Sequence, residues 1–137
     1  MSISVSQKQG RVPVSVISLE GRLDGQNYLE LIAKGQELYD TGTRDVLLDL
    51  TGLSYVSSAG MVAFHNIALL LRGETPPSPD QGWGAYRSMG RGSIEGGLQE
   101  HFKLFNPQLE VSHILEMVGF DTVFEIFTDL DEAVNSF

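Results

Sequence analysis

Two adjacent serines, Ser57 and Ser58, stand directly before Ala59-Gly60-Met61 and an apolar run that continues to about Arg72. Upstream, Asp45-Val46-Leu47-Leu48-Asp49-Leu50 is short and nearly continuously apolar, the pattern of a strand buried in the middle of a sheet. Such a strand, feeding a turn over Thr51 to Tyr55 and then a helix, brings unpaired backbone N–H groups and the positive end of the helix dipole to the serines. That environment favours an anion. A phosphate on a serine here would add roughly −1.5 to −2 charges near neutral pH while the helix keeps its fold. Taken by itself, a serine at a helix start is first of all a cap, contributing about 1 kcal/mol.

Other chemistries lack their residues. There is no cysteine, which excludes disulfides, zinc–thiolate sites and a cysteine nucleophile. No P-loop lysine motif is present, and Gly90-Arg91-Gly92 lacks the spacing of a dinucleotide fingerprint. No G-x-S-x-G elbow surrounds Ser57 or Ser58, and His113, within a predicted helix, is no candidate base for a hydrolase. His65, His101 and His113 are dispersed; His113 and Glu116 share a helical face without a third ligand. The sequence therefore predicts no catalytic residue, no metal and no cofactor.

The elements that position the serines follow from periodicity. Ile3 to Gln9 and Val12 to Glu20 alternate and are rich in Val, Ile and Ser, predicting two antiparallel strands joined at Gly10-Arg11. Gly21 to Gly25 breaks the pattern. A helix is expected from about Gln26 to Tyr39, with Tyr28, Leu31, Ile32, Leu38 and Tyr39 as its apolar stripe and Gly42 placed to end it. The helix after the serines is apolar nearly all round and should be deeply packed. Gly73 to Gly97, rich in Gly and Pro, reads as a long inserted surface loop with Trp83 and Tyr86 as potential anchors and Arg87 and Arg91 locally basic. His101 to Phe105 reads as a strand, Asn106 as the cap of a helix with Pro107 at its first position and Gly119 at its end, and Thr122 to Phe127 as a strand. A last helix starts at Thr128, with Asp131 at capping-box spacing. The order β-β-α-β-α-loop-β-α-β-α implies an α/β fold with parallel strands and right-handed crossovers.

Length and charge bound the partners. A chain of 137 residues is one domain on size alone, and 42% hydrophobic residues argue against wholesale disorder. The net charge of −9 disfavours nucleic-acid backbones and anionic membranes and leaves a protein partner or a small ligand. Met1 to Arg11 lacks the apolar core of a signal peptide, and the stretch from Met61 to Leu71 is too short and interrupted to span a bilayer, so a soluble cytoplasmic protein without membrane insertion is expected. Self-association is left open.

Three segments resemble one family. Val16-Ile17-Ser18-Leu19-Glu20-Gly21-Arg22-Leu23-Asp24 is similar to the second strand and "G-x-L/I-D" ending of STAS domains, the domain of bacterial anti-sigma factor antagonists. Val46 to Gly60, with Asp49-Leu50 and Ser57-Ser58-Ala59-Gly60, resembles the family's "D-S-S/A-G-L" segment. Leu115 to Phe120 followed by Val123 to Phe127 resembles its closing helix and strand. The resemblance covers nearly the whole chain except Gly73 to Gly97. It implies a single STAS-like domain over 1–137, a mixed sheet of about five strands with helices packed mainly on one face, and no enzymatic activity. It further implies an anti-sigma factor that is also a serine kinase as partner, Ser58 as the phosphorylated residue, and a role in transcription regulation. The partner surface carried over by position comprises Asp24, Gly25, Gln26, Ser57, Ser58, Ala59, Gly60 and Met61. Ser57 occupies the position where the family often has Asp, and Ala59 that of its second serine, which makes Ser57 a competing acceptor. The alternatives are a STAS subunit of a transporter or sensory complex, or a module that binds or hydrolyses a small ligand.

Overall fold

The computed structural model describes residues 1–74 and 98–137. The insertion expected over Gly73 to Gly97 lies, apart from its first two residues, outside the described residues.

The mixed five-stranded sheet expected from the sequence is present, in the order β1-β2-β3-β4-β5. Strands β1 (Ser2–Gln9) and β2 (Pro13–Leu23) are antiparallel, in register from Ser2↔Glu20 to Gln9↔Pro13. Pro13 takes the first position of its strand, where a missing N–H is tolerated. After β2 come α1 (Tyr28–Asp40), β3 (Val46–Val56) and α2 (Ser58–Leu71), and β3 lies parallel to β2. After residue 97 the chain adds β4 (Phe102–Phe105), α3 (Leu109–Met117), a 3₁₀ turn (Phe120–Thr122), β5 (Ile126–Phe127) and α4 (Leu130–Asn135), with β4 and β5 parallel to their neighbours.

Among the described residues, three helices cover one face of the sheet. Ile17, Leu19, Leu48 and Leu104 meet Leu31 of α1, Phe64, Ile67 and Leu71 of α2, and Val111 and Leu115 of α3 in one core. Phe102, Phe120 and Phe124 extend it through edge-to-face ring contacts, Phe120 and Phe124 at 5.3 Å and nearly perpendicular. The helices α1 and α2 cross closely: a Cβ on Gly35 would lie 2.8 Å from Ile67 Cγ1. The second face is smaller. Val14, Val16 and Leu47 pack against Ala133 and Val134 of α4. Lys103 of β4, only 4% exposed, fastens that helix. Its ammonium donates to the Ser136 carbonyl (3.0 Å) and hydroxyl (3.1 Å), pairs with Glu125 (3.2 Å) and lies 4.8 Å from the Phe137 ring centre.

Several boundaries differ from the sequence reading. Thr51 to Tyr55, expected as a turn, is strand: β3 continues to Val56, and from Leu50 onward its only ladder among the described residues is with β2. Gly21, Arg22 and Leu23, expected to break β2, pair with Leu53, Tyr55 and Val56. Two register shifts absorb the extra residues, and Gly21 takes φ +101 there, a conformation glycine adopts freely. Asn106 does not cap α3. It adopts φ +53 and donates through its side chain to the Thr51 hydroxyl, while Gln108 precedes the helix and bonds the Thr51 carbonyl. Most of the strand expected over Thr122 to Phe127 is used by the 3₁₀ turn and the burial of Val123 and Phe124, leaving two strand residues. The last helix is capped by Asp129, whose carboxylate accepts the Glu132 N–H, rather than by Thr128 with Asp131.

Candidate functional site

The two serines sit where β3 hands the chain to α2, and they have different roles. Ser57 is the cap. Its backbone is extended and its hydroxyl accepts the Gly60 N–H at 3.3 Å. Its carbonyl accepts the Met61 N–H, the first bond of the helix. Ser58 is the first helical residue, half-buried, and its hydroxyl has no hydrogen-bond partner among the described residues. The N–H groups of Ser58 and Ala59 are likewise without a partner there. The free hydroxyl and the free donors therefore coincide at Ser58.

The loop after β2 is tied to this corner. The Ser57 N–H donates to the Leu23 carbonyl at 2.9 Å, so Asp24, the next residue, lies beside the serine turn. Asp24 is itself held in place: its carboxylate accepts the Gln26 N–H, and its own N–H donates to the Asn27 side chain, which also bonds the Arg22 carbonyl. Gly25 and Gln26 are exposed.

Gly60 explains how the turn can be so tight. A Cβ at this position would lie 2.6 Å from Val56 Cγ2 and 2.9 Å from two Leu23 side-chain carbons. The helix start is pressed onto the ends of β2 and β3, and only glycine fits.

The sequence-predicted surface is thus split. Asp24, Gly25, Gln26, Ser57, Ser58 and Ala59 are at least partly accessible and gathered at one corner. Gly60 and Met61 are buried, Met61 at 1% exposure within the main core, so they shape the corner from beneath and are not contact residues. The sequence reading missed Leu29, 52% exposed in the first turn of α1 just past Gln26. The signal was present: Leu29 is apolar yet falls off the buried stripe of Tyr28, Leu31 and Ile32. Arg22 stacks on Tyr55 at 4.4 Å near the same end of the β2–β3 ladder.

The dispersed histidines do not converge here. His65 is buried in α2, and burial pushes its imidazole below the ordinary value, with Glu74 raising it and Arg72 lowering it further. His101 bonds Asp45 at 2.8 Å at the opposite end of β3. Among the described residues no helix is long and apolar enough to cross a membrane.

A family model described as an Mlab-type STAS domain matches residues 6–76, more than half of the chain and all of the corner just described. The chain belongs to the STAS family. No curated protein matches the sequence. Among solved structures, the STAS chain is similar to an anti-sigma factor antagonist from Mycobacterium paratuberculosis, at 16% identity over 98% of this chain and 93% of that one, with a TM-score of 0.63. It is also similar to the anti-sigma factor antagonist SpoIIAA in its unphosphorylated form, at 16% identity over 98% and 94%, with a TM-score of 0.56. The phosphorylated form of the Bacillus cell fate determinant SpoIIAA aligns at 15% identity over 98% and 97%, with a TM-score of 0.55. At these identities the likeness establishes the shared fold.

Proposed function

We propose that this STAS domain is a non-enzymatic, cytoplasmic anti-sigma factor antagonist that binds an anti-sigma factor with serine kinase activity and is switched by phosphorylation of Ser58. The observation that carries the reading is the division of labour between the serines. Ser57 uses its hydroxyl for the helix cap, whereas the hydroxyl of Ser58 and the N–H donors beside it have no partner among the described residues. A kinase can therefore modify Ser58 without removing the cap, and the phosphate gains the helix dipole. Ser57 is the alternative acceptor, at the cost of its capping bond. The surface read by the partner comprises Asp24, Gly25, Gln26, Ser57, Ser58 and Ala59, and Leu29 adds an apolar anchor at its rim. Two similar structures, of SpoIIAA unphosphorylated and phosphorylated, support a fold that tolerates the modification.

The test is titration of the purified anti-sigma kinase from the same cells with wild type, Ser58→Ala and Ser58→Asp, each checked for folding. Ser58→Ala should bind like wild type and Ser58→Asp at least about tenfold more weakly, a change of about 1.4 kcal/mol. Equal binding by the two variants rejects the switch. In a second reading the same corner joins a transporter or sensory complex without a kinase. A chain that no kinase phosphorylates, yet whose docking is lost in Gln26→Arg, would select that reading.

A further inference from the structure

We propose that β1 is a self-association edge, through which two copies pair antiparallel about a twofold axis and share one continuous sheet.

The two edges of the sheet are unequal. Among the described residues, one is β5, two residues long, and the other is β1, eight residues long and exposed at every position except Ile3. An open edge strand is a template for another strand unless something blocks it, and the common blocks are charge, proline and bulges. Ser2 to Gln7 contains no charged residue, proline or glycine. The pairing with β2 runs without a register shift, so no bulge turns the edge away.

The strand's sequence fits its own reverse. With Val5 opposite Val5 on the axis, Ser4 faces Ser6, Ile3 faces Gln7 and Ser2 faces Lys8. No like charges meet, a β-branched pair lies at the centre, and hydroxyl pairs line the other face. Charge then selects a second copy as the occupant. Ser2 is paired on its inner side with Glu20 of β2, which is exposed. The Lys8 of the mate, opposite Ser2 on the outer side, therefore lies in the same row as Glu20. The two are separated by two strand spacings, about 9.6 Å, and the small serine leaves room for both long side chains to meet above it. The twofold axis makes this Lys8–Glu20 contact twice. A chain of net charge −9 repels its copies over most approaches, and this edge is where basic and acidic side chains complement each other instead.

Sedimentation equilibrium of the full chain, from micromolar to millimolar, tests the proposal. Wild type should show a reversible monomer–dimer equilibrium. Val5→Lys, Lys8→Glu and Glu20→Lys should each weaken it roughly fivefold or more, and the Lys8→Glu/Glu20→Lys double variant should restore it. All three positions are exposed, and unchanged thermal melts exclude unfolding as the cause. A wild type that stays monomeric overturns the proposal and leaves the edge to a foreign strand. A dimer indifferent to Val5→Lys places the interface elsewhere, and a double variant no tighter than its parents rejects this register.

Discussion

Gly60→Ala puts the geometry of the serine corner to a quantitative test. The added methyl would lie 2.6 Å from Val56 Cγ2 and 2.9 Å from Leu23 Cγ and Cδ2, and both neighbours are essentially inaccessible, at 1% and 0% exposure. Neither can swing into solvent, so the helix start must lift or the core must shift. Overpacking of this kind costs about 1–3 kcal/mol. Against it stands the better helix propensity of alanine, up to about 1 kcal/mol. The net expectation is a loss of about 1–2 kcal/mol, which for a chain of this length lowers the melting midpoint by roughly 3–8 °C. Two comparisons isolate the cause. Gly25→Ala, where a Cβ meets nothing within 4 Å, should leave the midpoint nearly unchanged. Combining Gly60→Ala with Val56→Ala should cost less than the sum of the single losses by at least about 0.5 kcal/mol, because the smaller residue admits the methyl. Urea unfolding followed by circular dichroism reads wild type and the four variants, Gly60→Ala, Gly25→Ala, Val56→Ala and the double variant. A Gly60→Ala variant as stable as wild type, or strict additivity in the double variant, would refute the claim that glycine is required for close approach.

Two further outcomes follow from the buried polar groups. Lys103→Ala removes two hydrogen bonds that hold the end of α4, together with the ion pair to Glu125, and should cost about 2 kcal/mol, with amide exchange accelerating over 130–137 before the rest of the chain; uniform acceleration would show that α4 is not held locally. His65 has a folded-state pKa below that of the unfolded chain, so the unfolded state binds the extra proton. Its contribution is intact above about pH 6.5 and is lost as the pH falls from there through the lower folded value, with a slope of at most about 1.4 kcal/mol per pH unit. Urea midpoints of wild type should fall between pH 7.5 and 5.5 more steeply than those of His65→Gln, and parallel curves would reject the assignment.

Much of this architecture was legible because its signals are local and periodic. Asp45 to Leu50 reads as a buried strand, and Val46 to Leu50 is one; Val12 to Glu20, read as an alternating strand, is strand from Pro13 and buried almost throughout from Val14 to Leu19; the stripe from Tyr28 to Tyr39 faces the core; Gly42 and Gly119 end their helices with positive φ. The misreadings share a cause, which is that tertiary partners outrank local composition. Gly21 and Gly52 look like breakers, yet they lie within a long parallel ladder whose bulges accommodate them. Asn106 before Pro107 looks like a cap, yet its side chain bonds Thr51 on a strand far away in sequence. At the site, residue type and spacing identified the serine corner, but not which serine would be the cap, because that depends on where the first helical bond forms. Met61 was included in the surface because it closes the serine segment in sequence, but three positions beyond Ser58 its side chain turns into the core.

The extension of β3 beyond β4 has a mechanical consequence. From Leu50 to Val56 the strand runs about 23 Å with β2 as its only ladder partner among the described residues. The serines therefore stand at the tip of a two-stranded mast, and α2, about 21 Å long, is the stay that returns from the tip to the deck. A load applied at the tip by a docking protein enters the body through the β2 ladder and α2, and at the root of the mast through the side chains of Asn106 and Gln108, which bond Thr51. The fastening of α4 at Lys103 lies in another part of the frame. Substitutions at that fastening act far from the tip, while those in the mast and its stay act on the corner that a partner would load.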